Sequence, residues 1–169
     1  LAVRSHGPGR SLLPGVPVAI FAGMNRPAWL APASIALLAV ALRVIYVLLL
    51  RDHPLFDSPN MDAGYHLAWA DALASGEEFQ DGPFFRAPLY PIVLAVLTAL
   101  PGDGTLVARL AQALFGGLSS YLTYRIGARV HGRQAGLVAS ALVACSWVLI
   151  AFDAELLIPT LFVPLTLLA

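Results

Sequence analysis

The stretch WLAPASIALLAVALRVIYVLLL, residues 29–50, decides the fold class of this chain. Its only charged side chain is Arg43. A helix needs roughly 20 mostly apolar residues to cross the hydrocarbon core of a bilayer. The stretch therefore predicts a membrane-spanning helix, with Arg43 in its outer half.

The composition of the whole chain agrees with a membrane protein. Of the 169 residues, 59% are hydrophobic and 12% are charged, whereas an average soluble domain carries about 25% charged residues. This balance argues against a soluble globular domain, a disordered chain or a disulfide scaffold. Ten basic residues balance ten acidic ones, and without a basic cluster we expect no nucleic-acid partner.

Further apolar stretches predict an all-α, polytopic transmembrane helix bundle. Candidate spans cover residues 105–124, 135–152 and 156–169, and the segment 135–152 reads as one unbroken, uncharged helix. The run 87–100 is short for a span and is bracketed by prolines. We expect it to lie in the outer interface, packed against the bundle.

The placement of charges supports this topology. If 87–100 does not cross, one side collects six arginines: Arg4, Arg10, Arg26, Arg125, Arg129 and Arg133. Residues 51–104, on the other side, hold two arginines and eight acids: Asp52, Asp57, Asp62, Asp71, Glu77, Glu78, Asp81 and Asp103. Arginine-rich segments stay in the cytoplasm. We therefore predict a multi-pass inner-membrane protein with a cytoplasmic N-terminus and an external loop at 51–104.

The two ends of the chain carry separate expectations. Residues 1–28 are interpreted as a cytoplasmic extension whose start is either Leu1 or Met24, and 29–169 as a transmembrane domain. The last candidate span stops within an apolar stretch. We expect the chain to be an N-terminal fragment that has no activity by itself.

The external loop contains a predicted amphipathic helix. Asn60 can cap a helix over residues 61–75, and Gly76 can end it. Tyr65 and Trp69 are one turn apart and form an aromatic stripe suited to the membrane headgroup level, where it could also border a substrate site.

An ordered series of motifs resembles a known family. The motifs are Asp62-Ala-Gly-Tyr65, Phe85-Arg86-Ala-Pro-Leu-Tyr-Pro91 and Asp153-Ala-Glu155-Leu-Leu. The series, from about residue 30 onward, is similar to the N-terminal third of the GT-C membrane glycosyltransferases. In particular it resembles glycosyltransferase family 39, which includes protein O-mannosyltransferases and the aminoarabinose transferases of lipid A. The resemblance implies interfacial helices in the first external loop. It also implies transfer of a sugar from a polyprenyl-phosphate donor to an extracytoplasmic acceptor, beside membrane lipids.

The resemblance implies that Asp62 is the general base, since the family places an Asp in its first external loop. The better-known members have Glu directly after this Asp, whereas Ala63 follows here. The alternative is an acid in the first turn of a helix, which the helix dipole favours. Asp57 is the other candidate base.

The resemblance also suggests further site residues. Arg86, Arg43 and Arg109 could bind the donor phosphate, because a guanidinium matches phosphate oxygens. Extension of these side chains toward the membrane surface is the alternative. The family places an acid at the exit of the third span, so Asp153 and Glu155 could contribute to the active site. Otherwise they are solvated turn acids.

No metal and no other cofactor is predicted. Some members of the family place a metal-binding Glu near the position of Phe85, and this chain lacks that carboxylate. A single His66 beside Asp62 is too few ligands for a metal ion, and Cys145 is interpreted as structural.

Two other classes of protein remain open from the residues alone. A transporter or flippase fragment would also use intramembrane arginines and external acids. Transporters usually have broken helices near the membrane midplane, and the expectation of an unbroken third span argues against this class. A non-catalytic membrane subunit would not need the acid of the first loop.

Overall fold

The structure, a computed structural model, describes residues 27–54, 56, 59, 61–79 and 86–169. Within these residues the chain forms seven α-helices and no strand, which confirms the all-α prediction. The helices are α1 (Leu30–Leu50), α2 (Met61–Ser75), α3 (Leu89–Thr98), α4 (Gly104–His131), α5 (Arg133–Ala144), α6 (Trp147–Ala154) and α7 (Pro159–Leu168). The predictions for the extension up to residue 26, and for Asp57, Asn60 and Phe85, lie outside the described residues.

Helix α1 has the length and composition of a membrane span. Its 21 residues extend for about 31 Å at 1.5 Å per residue. Among the described residues it is the one helix that passes this test alone, and α5 with α6 passes it as a bent pair. The apolar helices α3 and α7 have 10 residues each.

The prediction of an unbroken third span is wrong. The axes of α5 and α6 differ by 49°, and the break falls at Cys145 and Ser146, where Ser146 has an extended backbone with ψ 109°. A break leaves helix carbonyls without their usual partners. Nη1 of Arg43, on α1, donates to the carbonyl of Ala144 at 3.2 Å. A contact from another helix thus compensates for the break.

Helix α4 is longer than the predicted span 105–124. The Asp103 carboxylate caps its start by accepting from the Leu106 amide at 3.1 Å. The helix ends at His131, and Gly132 follows it with a φ of +87° that few other residues adopt. Most of the predicted cytoplasmic turn at 125–134 is therefore helical.

The last predicted span, 156–169, is shorter in the structure. Helix α7 begins only at Pro159, because Leu156 has a left-handed φ of +56° and cannot continue a helix. Pro159 suits the first turn, where a backbone N–H would have no partner.

Helices α2 and α3 pair beside the N-terminal end of α4. The bounds of α2 agree with the predicted helix 61–75, and Gly76 follows it with φ +71°. A shared core joins these helices to α4 and to the turn before α7: Ala63, Ala70, Tyr90, Leu94, Ala108 and Leu156. Helix α3 extends for about 15 Å, half of the roughly 30 Å that a hydrocarbon core measures. This length suits an interfacial position, and the topology itself stays a prediction.

Candidate active site

Two acids from distant parts of the sequence line one cavity. Asp62 lies in the first turn of α2, and Glu155 follows the last residue of α6. The cavity has a volume of about 280 Å³, and its other lining residues are Met61, Ala63 and Leu157. Both acids are exposed, so a ligand entering the cavity would meet two carboxylates.

The backbone at this cavity is strained on both sides. Met61 precedes Asp62 with φ +53°, and Leu156 follows Glu155 with φ +56°. They are the only non-glycine residues with positive φ in the described part of the chain. A left-handed conformation costs an L-residue roughly 1–2 kcal/mol, and such strain concentrates at functional sites. It therefore points to this cavity independently of the acids.

Asp62 is bound to Arg86, the residue predicted to bind phosphate. Nη2 of Arg86 donates to Oδ1 of Asp62 at 2.8 Å, and both side chains are partly exposed. This hydrogen bond lowers the pKa of the Asp62 carboxyl below its usual range and raises the pKa of Arg86. The guanidinium also lies 5.3 Å from the ring centroid of Tyr65. The structure thus brings together three of the predicted site residues.

Arg109 borders a second cavity, which Glu155 also lines. The volume is about 230 Å³, and the remaining lining residues are Leu50, His53, Phe56 and Ala154. Nε of Arg109 donates to the carbonyl of Ala154 at 2.7 Å, and Nη2 donates to the carbonyl of Phe56 at 2.9 Å. The guanidinium lies 3.8 Å from the centroid of the Phe56 ring. These contacts tie the first loop to the end of α6.

Arg43 and Asp153 form a buried ion pair away from the Asp62 cavity. Nε of Arg43 donates to Oδ2 of Asp153, and the residues are 1% and 5% exposed. Nη1 of Arg43 also donates to the carbonyls of Ala39 and Ala144, at 3.0 and 3.2 Å. The adjacent space is about 10 Å³, about one water-sized sphere. The pair therefore has no room for a phosphate or a sugar.

The sequence-based predictions do not include this pairing, because they assign Arg43 to phosphate binding and Asp153 to the active site. A charge inside a span usually pairs with an opposite charge from another helix. Arg43 is the only charge of its span, and Asp153 is the first acid after the predicted third span. That complementarity was the signal in the sequence.

Other side chains cover part of the aromatic stripe that Tyr65 and Trp69 form on α2. Trp69 is 2% exposed, and its ring stacks on Phe79 with 5.5 Å between centroids. Phe79 therefore covers the side chain that was predicted to lie at the headgroup level. Tyr65 packs edge-on against both rings and also borders the ion pair of Asp62 and Arg86.

His66 is a buried residue beside the candidate site. Its ring is fully buried and forms T-shaped contacts with the rings of Tyr65 and Tyr90, and no described residue hydrogen-bonds to either nitrogen. Burial lowers the pKa of His66 and favours the neutral ring. The Tyr90 hydroxyl accepts from Nε2 of Gln112 at 2.5 Å, which links this region to α4.

Metal ligands are not clustered in the part of the chain that the structure describes. No group of three or more His, Cys, Asp or Glu side chains there could hold a metal ion. The prediction that the protein needs no metal or cofactor stays a prediction.

The chain is similar to a known protein family. The model of the family described as dolichyl-phosphate-mannose-protein mannosyltransferase matches residues 85–169, half of the chain. The match includes Arg86, Arg109, Asp153 and Glu155, and it begins after Asp62. No curated protein and no solved structure is significantly similar to the chain.

Proposed function

The chain belongs to the dolichyl-phosphate-mannose-protein mannosyltransferase family, membrane glycosyltransferases of the GT-C type, and from this premise we propose its reaction. It transfers a sugar from a polyprenyl-phosphate donor to an acceptor on the extracytoplasmic face of the membrane. The observation that supports this most is the single cavity lined by Asp62 and Glu155, with Arg86 bound to Asp62.

The proposed reaction is a direct displacement at the anomeric carbon. An oxygen or nitrogen of the acceptor forms a bond to this carbon, while the bond from the carbon to the phosphate oxygen breaks. The phosphate leaves with the bonding electrons, and Asp62 takes the proton of the acceptor as general base. Displacement in one step inverts the anomeric configuration. The protein then has to supply a base and cations for the leaving phosphate.

The ion pair of Asp62 and Arg86 suggests how donor binding activates the base. A donor phosphate would compete with Asp62 for the guanidinium, which forms strong bonds to either anion. Release from Arg86 would let the pKa of Asp62 rise toward its ordinary value, because the hydrogen bond that lowers it is lost. Asp62 would therefore become more basic when the donor is in place.

Glu155 is the second acid of the proposed site. The sequence left the choice between Asp153 and Glu155 open, and two observations favour Glu155. It lines both cavities, whereas Asp153 is neutralised by Arg43 in a buried pair. The proposed role of Glu155 is to accept a hydrogen bond from the acceptor and to orient it toward the anomeric carbon.

The proposed protein is a multi-pass inner-membrane enzyme with residues 51–104 outside. Exposed acids lie around the start of α4, among them Asp62, Asp71 and Asp103. The exposed Arg129, in the last turn of α4, and the exposed Arg133, just after the helix, lie at its other end. This separation of charge supports a cytoplasmic N-terminus by the positive-inside rule.

The break between α5 and α6 gives little support to the alternative interpretation of the chain as a transporter. Broken helices in transporters provide ion and substrate sites. Here Arg43 binds the carbonyl at the break and pairs with Asp153, beside a cavity of about 10 Å³. The membrane glycosyltransferase remains the function that the site supports best.

The proposal can be tested with the complete open reading frame reconstituted in liposomes. Labelled polyprenyl-phosphate mannose is the donor, and a membrane extract of the source cells supplies acceptors. We expect label to move to an acceptor with release of polyprenyl phosphate, and we expect Glu155→Gln to slow this transfer more than the control Glu77→Gln. Glu77 is an exposed acid after α2. Absence of transfer by the parent protein, or equal rates for the two variants, would contradict the proposal.

A further inference from the structure

We infer that Arg43 and Arg109 are positioning residues that hold the last two residues of α6, Asp153 and Ala154, and so direct Glu155, in the turn that follows, into the cavity with Asp62. The inference rests on the proposed function of that cavity. It differs from the interpretation of the two arginines as phosphate ligands, because it assigns them to the protein's own backbone and carboxylate.

The turn itself needs external support. It follows α6, and Leu156, fully buried directly after Glu155, has a left-handed φ of +56°. Strained conformations of this kind persist only when surrounding contacts determine them. Glu155 is exposed, so its own side chain is not what holds the turn.

Arg43 holds Asp153, near the end of α6, from the side of α1. It forms the ion pair with Asp153, and its Nη1 donates to the carbonyl of Ala144 at the end of α5. One guanidinium therefore bridges both halves of the bent pair. Gly116 on α4 leaves room for this ion pair, because a Cβ there would lie 2.5 Å from Cδ of Arg43 and 2.5 Å from Oδ2 of Asp153.

Arg109 holds Ala154, the last residue of α6, from the side of α4. Its Nε donates to the carbonyl of Ala154, and its Nη2 donates to the carbonyl of Phe56. Like Arg43, it is almost completely buried, at 2% exposure. The two guanidiniums thus contact adjacent residues of the chain from two different helices, and the next residue is Glu155.

A cross-linking experiment tests the geometry without relying on activity. Met61 and Leu157 line the same cavity, so cysteines at these positions, in a Cys145→Ser background, can be joined by a short bifunctional thiol reagent. We expect Arg109→Gln to reduce the rate of cross-linking several-fold. The exposed Arg125, also on α4, provides the matched control Arg125→Gln, which should leave the rate unchanged.

The double variant Arg43→Leu with Asp153→Leu tests the role of Arg43 without leaving Asp153 buried and unpaired, as a single substitution of Arg43 would. Removing one partner of a buried ion pair leaves an uncompensated charge, whereas removing both is often tolerated. We expect the double variant to remain monodisperse in detergent and to cross-link several-fold more slowly than the parent. A cross-linking rate equal to that of the parent in both this variant and Arg109→Gln would overturn the inference.

Kinetics of the complete protein separate a positioning role from a phosphate-binding role. Misplacement of a reacting group by about 1 Å can cost about 100-fold in rate. We therefore expect kcat to fall by about this factor in Arg109→Gln, with the KM for polyprenyl-phosphate mannose nearly unchanged. An increased KM with unchanged kcat would show phosphate binding instead. If the parent shows no transfer at all, the proposed function fails, and the cross-linking result alone decides the inference.

Discussion

Asp62 and Glu155 face one cavity of about 280 Å³, although one belongs to the first loop and the other to the end of α6. Each is flanked by a residue with a left-handed backbone, Met61 and Leu156 respectively. Arg86 binds one of these acids, and the two buried arginines Arg43 and Arg109 contact the residues just before the other. The proposed chemistry therefore depends on how three separate segments meet.

The first prediction concerns the base. Asp62→Asn in the complete protein should reduce transfer by about 10²–10⁴, the usual contribution of a general base. Donor binding should not weaken, because the donor phosphate no longer competes with a carboxylate for Arg86. Asn keeps the size of the side chain but loses the charge that takes the proton. Asp71→Asn, on the exposed face of the same helix, is the control and should keep parental turnover. Near-parental turnover of Asp62→Asn would mean that Asp62 only starts the helix, and Asp57 would become the next candidate.

The second prediction concerns pH and Arg86. The hydrogen bond from Arg86 lowers the pKa of Asp62, so the carboxylate form persists to lower pH than usual. In the free enzyme, activity that needs this carboxylate is present above its pKa and is lost as the pH falls through it. Arg86→Ala should therefore move the acidic limb of kcat/KM to higher pH and also raise the KM for the donor. Arg86→Lys should give a smaller displacement, and an unmoved limb in Arg86→Ala would exclude Asp62 as the titrating group.

The third prediction concerns topology. Asp103 and Gln134 are both exposed, close to opposite ends of α4. Single cysteines at these positions, in a Cys145→Ser background, should react differently with a membrane-impermeant thiol reagent added to intact cells. We expect labelling at 103 and none at 134, because the arginine-rich side stays in the cytoplasm. The opposite pattern would invert the orientation.

The fourth prediction concerns the space around the buried ion pair. A Cβ at residue 116 would lie 2.5 Å from Oδ2 of Asp153 and would also clash with Arg43. Gly116→Ala should destabilise the protein by about 1–3 kcal/mol, as overpacking does, and should lower Tm in detergent. In the background Arg43→Ala with Asp153→Ala, the same substitution should have little effect, because the clashing atoms are gone. Equal losses of Tm in both backgrounds would show that the ion pair is not the obstacle.

The fifth prediction concerns His66. Burial lowers its pKa in the folded protein, whereas the unfolded chain binds a proton near pH 6.5. Between these two pKa values the unfolded state binds more protons than the folded state. The free energy of unfolding therefore falls as the pH drops from about 6.5 to the lower pKa of the folded protein, and below that pKa His66 causes no further loss. His66→Phe should keep Tm at pH 7 and reduce its loss on acidification. The exposed His131→Phe should change neither, and an unchanged acid sensitivity of His66→Phe would contradict this account.

The sequence by itself determined the features that depend on local chemistry. The apolar stretch around Arg43 predicts α1 because its length matches a bilayer. The bounds of α2 follow from its composition and from Gly76, whose φ of +71° is easily adopted only by glycine. The motif series also identified the family, because the order of motifs along a chain requires no knowledge of contacts.

Only the tertiary structure decided which of the predicted site residues meet. Arg43 and Asp153 neutralise each other, because a buried charge needs a partner and the packing of α1 against α6 provides one. That pairing leaves Glu155 as the acid beside Asp62. The sequence of this uncharged apolar segment also does not predict the bend after Ala144. The hydrogen bond that compensates for the bend comes from Arg43, which lies on a different helix. Contacts between residues far apart in the chain depend on how helices pack, and hydrophobic pattern specifies only which faces are buried, not which residues touch.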